Sequence, residues 1–296
     1  MPDDAALRGT GLAATIVHAC RRDGRGGSPT AVLDEAPMTD EQRCAVPGLT
    51  GASHAVFVSA RDAGDGTLDV ALRFFTSAGE LPACGHGTVA ALAYLADRGG
   101  VDVEAAVRTP ARSFAGRAGA VDGSFAASFD PGRVDRCEPA GREHDRVVDT
   151  LGLGPGGLAS GVTAAALGRP RLLVPVTTRP ALAALAPDFA RLREACDDLG
   201  LLGCYAYTVP DDAGRVAARM FAPSIGVPED IANANSTACL AAHLAARGIT
   251  SLTSDMGDSL GSPATITASS TPGAPGAPGP LVSVGGTAAI GGVVVL

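Results

Sequence analysis

The stretch Arg73-Phe74-Phe75-Thr76, continuing through Gly79-Glu80-Leu81-Pro82-Ala83-Cys84-Gly85-His86-Gly87-Thr88, decides how this chain is read, because its pattern returns. Later, Arg219-Met220-Phe221-Ala222 runs through Gly226-Val227-Pro228-Glu229-Asp230-Ile231-Ala232-Asn233-Ala234-Asn235-Ser236-Thr237. Each copy leads into an alanine- and leucine-rich segment, the first closing at Arg98-Gly99 and the second at Arg247-Gly248. The offset is 146 at the arginines (219 − 73) and 149 at the closing glycines (248 − 99), so the second copy carries three more residues. Each copy reads as strand, polar loop and helix. Two such halves, facing one another, would bring two helix N-termini to one small ligand. That suits a carboxylate and a proton moved between two groups.

Outward from these motifs, residues 88–98 and 236–247 are helices with small or apolar side chains on nearly every side, the mark of an enclosed helix. Gly99-Gly100 stops the first. Strands are expected over residues 14–20, 30–33, 55–58 and 68–75 in the first half, and over 171–176, 203–209 and 216–221 in the second. Thr39 with acids in the next turn opens a short helix over 39–46, and residues 181–185 and 189–199 look helical. Residues 132–141 are polar and connect the halves; residues 269–280 are a Ser/Pro/Gly/Ala tract expected to be a mobile surface loop. The fold class is α+β, each half a curved sheet around its own helix. Residues 1–118 form the N-terminal half, completed by the last strands at about 284–296, and 119–283 the C-terminal half, with the ligand cleft between them.

Composition narrows the function. Of 296 residues, 46% are hydrophobic and 18% charged, enough for a sizeable core. All 23 basic residues are arginine, so a lysine Schiff base, lysine base or Walker lysine is excluded. The net charge of −8 and the lack of a basic run argue against a nucleic-acid partner. Seven cysteines without a CxxC pair signal neither a disulfide framework nor a zinc ribbon, and no metal is expected. The acidic start Met1-Pro2-Asp3-Asp4 is no signal peptide, and no segment reads as a membrane span, so a cytoplasmic protein with reduced thiols is expected.

The chemistry-bearing residues cluster near the helix starts. In Cys84-Gly85-His86-Gly87-Thr88, two glycines around a histidine leave backbone N–H groups at a helix N-terminus, a carboxylate-binding arrangement; alternatively, the segment is a glycine turn with a capping histidine. His54 stands at the mouth of an apolar strand and has the unperturbed pKa of an acid/base, or is a satisfied structural histidine. Glu229 and Asp230 are carboxylate acid/bases or solvated loop acids. A Cys84 thiolate at a helix start would be a base or nucleophile. A two-thiol racemase needs a second cysteine at position 84 + 149 = 233, which is Asn233, so that chemistry is disfavoured.

Taken together, Arg73-Phe74-Phe75-Thr76, Glu80 and Cys84-Gly85-His86-Gly87-Thr88 resemble the first signature of the PhzF-like (phenazine biosynthesis) isomerases. Arg219-Met220-Phe221-Ala222-Pro223, Gly226 and Pro228-Glu229-Asp230 resemble the second, and Gly27-Ser28-Pro29-Thr30-Ala31-Val32 resembles the family's early Gly-Asn-Pro loop. The likeness runs from about residue 14 to the C-terminus; Cys-Gly-His-Gly-Thr by itself is also similar to the proline racemase signature. The resemblance implies the diaminopimelate-epimerase fold, with two pseudo-symmetric halves, each a mostly antiparallel sheet around a central helix. It implies a homodimer, and proton chemistry without cofactor or metal on a small unsaturated carboxylic or amino acid.

Two departures stand out. Aligning Phe57-Val58 on the family's Ser-Glu-Thr/Ser-X-Phe-Val segment puts His54 where the catalytic glutamate stands. The family's Ala-Thr-Gly-Ser-Ala becomes Ala232-Asn233-Ala234-Asn235-Ser236, in which Asn235 or Ser236 would cap the helix and contact a carboxylate. The resulting expectation is an isomerase with His54 as main acid/base and His86 and Asp230 assisting. Cys84, Gly85, Gly87, Asn235 and Ser236 would hold the substrate's carboxylate. A cyclase or pericyclase orienting a polyene, a non-catalytic small-molecule binder, and a one-base or thiol racemase using Cys84 are the rivals.

Overall fold

The computed structural model describes residues 11–137, 143–159, 161–273 and 279–296. The chain divides into two units, one comprising the described residues up to Asp130 with Gly285–Leu296, the other those within Pro131–Val284. The division expected after residue 118 falls inside a strand, Ser113–Val121, whose continuity carries unit 1 onward.

Unit 1 opens with β1 (Ala13–Arg21), β2 (Ser28–Asp34), α1 (Asp40–Thr50), β3 (His54–Asp62), β4 (Thr67–Thr76) and β5 (Gly79–Leu81). It continues with α2 (Gly85–Gly99), β6 (Val103–Arg108), β7 (Ser113–Val121) and β8 (Ser124–Phe129). Antiparallel pairs β1–β2, β3–β4, β4–β5, β6–β7 and β7–β8 are joined by the parallel pairs β2–β3 and β4–β6. Thr39 caps α1 in a reciprocal box with Gln42, as its sequence signalled. α2 begins a turn earlier than expected, at Gly85, so His86 lies inside its first turn; Gly100 in the left-handed region (φ 62°) ends it.

Strand alternation sorts β3 between two faces. Ala55 and Phe57 join Phe75 in the core with Ala45 and Val46 of α1. Val56 and Phe74 face α2, where a Cβ added at Gly87 would sit 3.0 Å from Val56 Cγ2 and 3.1 Å from Phe74 Cδ1. Close packing, rather than loop flexibility, therefore requires this glycine. His54, two residues before Val56, shares the α2 face.

Unit 2 repeats the plan with β9 (Asp135–Cys137), α3 (Glu143–Val148), β10 (Thr163–Ala166), β11 (Pro170–Val176), α4 (Arg179–Ala183) and α5 (Phe189–Asp198). β12 (Cys204–Thr208), β13 (Arg215–Ala222), β14 (Val227–Asp230), α6 (Ala234–Ala245), β15 (Ser251–Met256) and β16 (Ala264–Thr271) follow. β11–β12 and β13–β15 are its parallel pairs, and β10–β11, β12–β13, β13–β14 and β15–β16 are antiparallel. β17 (Leu281–Val295) then supplies the partner of β1, antiparallel from Val295 at Ala13 onward. The tract expected to be a loop over 269–280 is corrected at its start: Ser269–Ser270–Thr271 complete β16, and residues 274–278 lie outside the described residues. Likewise residues 135–137 of the expected connection are β9, paired with β10, while residues 1–10 and 138–142 lie outside the description. No described helix is long and apolar enough to cross a membrane.

Candidate active site

In unit 1, β3 delivers His54 at its first residue and α2 delivers Cys84 as N-cap and His86 in its first turn. The three are buried, exposing 3%, 6% and 2% of their surface. The imidazoles meet edge to face with ring centres 4.4 Å apart and planes at 82°. Cys84 Sγ lies 3.4 Å from His86 Nε2, and Ser53 Oγ shares a hydrogen bond of 2.9 Å with His54 Nδ1. Burial, and secondarily the neighbouring His86, push the His54 pKa well below its ordinary value, so this ring is neutral near pH 7. A neutral imidazole offers one nitrogen as base and the other as acid. Ligand atoms of His54, Cys84 and His86 all fall within 4.8 Å of one another, a set able to hold a metal ion.

Gly85 and Gly87 are the buried first and third residues of α2. Such early N–H groups have no acceptor within the helix, whereas Thr88 N–H already donates to Cys84 O at 3.0 Å. Sequence reasoning missed Ser53. Its signal was adjacency to His54, which fixes a hydrogen bond but no direction until the strand is placed.

In unit 2 Asp230 ends β14, so it is a strand residue and not a loop acid. Its Oδ2 accepts from Asn233 Nδ2 at 3.0 Å, and Asn233 Oδ1 accepts from Ser236 N–H at 2.9 Å. The cap of α6 is therefore Asn233, correcting the expectation of Asn235 or Ser236. Three capping-type residues within four positions compete, and the one at the register of Cys84 wins. Ser236 is fully buried, its N–H committed to the cap and its hydroxyl donating to Met220 Sδ at 3.4 Å. Asn235 is half-buried, and its backbone oxygen accepts from Arg171 Nη1 at 3.3 Å. Glu229 is bidentate on Arg219 at 2.9 and 2.8 Å, a structural pairing. Also missed were Tyr205, whose hydroxyl bonds Thr237 Oγ1 at 2.9 Å and Ser254 Oγ at 2.7 Å, and the fully buried Arg171.

A model of the phenazine biosynthesis-like proteins (PhzC-PhzF) matches residues 19–291. The chain belongs to that family. An uncharacterized isomerase of Deinococcus radiodurans is 33% identical over 76% of this chain and 73% of that protein. A trans-2,3-dihydro-3-hydroxyanthranilate isomerase of Pseudomonas aeruginosa is 30% identical over 78% of this chain and 78% of its own length. A PhzF-family crystal structure from Bacillus anthracis superposes with a TM-score of 0.81 over 96% of this chain and 98% of that one, at 17% identity. The architecture is α+β and diaminopimelate-epimerase-like, as the sequence motifs implied. The chain is accordingly an enzyme of the isomerase class.

Proposed function

We propose that this enzyme moves a proton, and with it a double bond, within a small unsaturated carboxylic or amino acid. His54 is the acid/base. In the first half-reaction its basic nitrogen takes a proton from an allylic carbon, and the C–H electron pair enters the conjugated system. In the second, the imidazolium returns a proton to the far end of that system, so the product is an isomer and nothing is consumed. His86, in ring contact with His54, orients the imidazole and polarises the substrate. The Gly85 and Gly87 N–H groups and Cys84 hold the carboxylate end. In unit 2, Asp230 is assigned the assisting carboxylate and Asn235 a substrate contact. Ser236, fully buried with its N–H in the cap and its hydroxyl on Met220 Sδ, is not available for the carboxylate-holding role expected of it.

One observation carries this reading: His54, at the position aligned with the family's glutamate, is buried, kept neutral, and packed on His86 at the start of an enclosed helix. The relatives named trans-2,3-dihydro-3-hydroxyanthranilate isomerase support the substrate class, and the family's description as phenazine biosynthesis-like supports a biosynthetic setting. Trans-2,3-dihydro-3-hydroxyanthranilate is the first substrate to try. Turnover in heavy water is expected to place solvent deuterium in the product. His54→Ala is expected to lower turnover about 10²–10⁴-fold. Product formed at full rate by His54→Ala, or formed without solvent deuterium, overturns the assignment.

A further inference from the structure

The cluster that holds His54 has the composition of a metal site, although neither the sequence nor the family likeness called for one. Two imidazoles and a thiol, each at least nine-tenths buried, place their ligand atoms within 4.8 Å of one another. With Zn–S near 2.3 Å and Zn–N near 2.0–2.1 Å, two ligands at the tetrahedral angle stand about 3.5 Å apart. Cys84 Sγ lies 3.4 Å from His86 Nε2 and 3.8 Å from His86 Nδ1, beside the ring, so a turn of the His86 side chain brings its Nε2 lone pair and Sγ onto one ion. Ser53 holds His54 Nδ1, which leaves Nε2 as the coordinating atom and supplies the outer hydrogen bond that orients a metal-bound imidazole.

We infer that His54, Cys84 and His86 form a three-ligand site for a thiophilic divalent cation, Zn²⁺, with one coordination position left open. Three protein ligands and an open position describe a reactive zinc site and not a structural one. Binding releases one proton, from the Cys84 thiol, as the S–Zn bond forms. The loaded site carries one net positive charge, which favours a carboxylate or hydroxide in the open position. The ion occupies the His54 lone pair, so the loaded enzyme has lost its base; this last consequence, unlike the binding itself, rests on the function proposed above. Zinc would thus act as a reversible off-switch for the isomerase.

Cobalt(II) is the probe, because a thiolate bound to it gives a near-ultraviolet charge-transfer band together with visible bands of a tetrahedral ion. Chelator-stripped full-length protein, titrated with Co²⁺ under anaerobic conditions, is expected to develop these bands to one equivalent, and Zn²⁺ to bleach them. Cys84→Ser is expected to abolish the charge-transfer band while the other six cysteines remain. His54→Gln is expected to weaken Co²⁺ binding more than about 100-fold, beyond what loss of an outer-shell partner does. An absent band in the wild-type protein, or an unchanged one in Cys84→Ser, overturns the site without reference to any folding defect in the variants. Deuterium incorporation by metal-stripped enzyme is measured alongside. Failure of that reaction with cobalt bands present refutes the isomerase reading alone, and normal turnover without cobalt bands refutes the metal site alone.

Discussion

The two halves keep one frame and diverge in what they hang on it. Arg73 grips Glu80 through Nε and Nη2, both at 2.8 Å, and Arg219 grips Glu229 the same way at 2.9 and 2.8 Å. Each guanidinium also lies over the phenylalanine two residues on, at 5.0 Å for Phe75 and 4.9 Å for Phe221. The arginines are 146 apart (219 − 73) and the glutamates 149 (229 − 80), so the three extra residues lie between them, where the short turn Pro223–Ile225 is found. Register extends the match. Ala55 pairs with Phe75 and Cys204 with Phe221, which makes Gly203 the counterpart of His54. At the helix starts, Cys84 is answered by Asn233 and His86 by Asn235. Thr88 and Thr237 both return their hydroxyls to the cap carbonyl, at 2.8 and 3.1 Å. The frame thus demands the arginine–glutamate clamp and the threonine, while the polar positions around it are free to carry unlike chemistry: imidazoles and a thiol in unit 1, a carboxylate and an amide in unit 2.

The clamps offer the strongest test. Side chains of Arg219 and Glu229 are 11% and 9% exposed, against 34% and 30% for Arg73 and Glu80. Arg219 Nη1 also donates to Leu182 O at 3.1 Å and Leu185 O at 2.9 Å. Arg219→Met leaves the buried Glu229 carboxylate without its cation, though still bonded by the Ser259 hydroxyl, and strands those carbonyls; it is expected to cost about 3–5 kcal/mol in urea unfolding. Arg73→Met, in a wetter pair, should cost at most about 1 kcal/mol. Equal losses would break the claim that the clamps differ by burial.

Position 203 comes next. A Cβ there would meet Phe221 O at 2.0 Å and Ala222 Cα at 3.0 Å, both backbone atoms that have no rotamer to retreat into. Gly203→Ala should therefore cost about 3 kcal/mol, at the upper end for overpacking. A loss below about 1 kcal/mol would show that the two strands are not so close, and that glycine was not the reason unit 2 lacks an imidazole.

These tests also mark how far the sequence could be read. The repeat exposed both enclosed helices and the cluster residues Cys84 and His86, because all lie in one short motif per half. It contained Arg73, Glu80, Arg219 and Glu229 without showing that they pair, and Glu229, read as an acid/base or a solvated loop acid, proved to be held by Arg219. His54 needed a family alignment, since nothing local distinguishes it from a core histidine. Its counterpart Gly203 was invisible: the equivalence exists only through strand pairing, and the flanking residues Ser53 and Leu202 share nothing. Asp230 was placed in a loop because Pro228 and the charges beside it mask a strand that is only four residues long. Tyr205 and Arg171 went unnoticed because a polar residue on an apolar strand shows its partners only after the sheet brings Thr237, Ser254 and the end of the α2-like helix α6 beside it.

The helix caps give a smaller contrast. Asn233 uses its side chain on Ser236 N–H, whereas Cys84 makes no side-chain cap bond. Asn233→Ala should lower stability by about 1 kcal/mol. It also releases the Asp230 carboxylate from the 3.0 Å bond it accepts from Asn233 Nδ2. A neutral outcome in thermal melting would mean that the side-chain cap contributes nothing at the α6 start, as at the α2 start, where Cys84 makes none.

The smallest effect is one of pH, and it separates the two enclosed helices at one position. His243 of α6 corresponds to Tyr94 of α2 (243 − 149 = 94), whose hydroxyl donates to Asp34 Oδ1 at 3.3 Å. His243 is buried, and its Nε2 has no hydrogen-bond partner among the described residues. Burial first, then Arg247 and Arg136, lower its pKa. An unfolded histidine titrates near 6.5. Below that pH the unfolded chain binds a proton that the folded one resists, so the His243 contribution is complete above about 6.5 and shrinks as the pH falls through the window beneath it. His243→Phe is expected to flatten the fall of the urea midpoint between pH 7.5 and 5.5, leaving the part due to His54, while Tyr94→Phe leaves that slope unchanged. If the two substitutions flatten it alike, the acid sensitivity does not reside in the helix of unit 2.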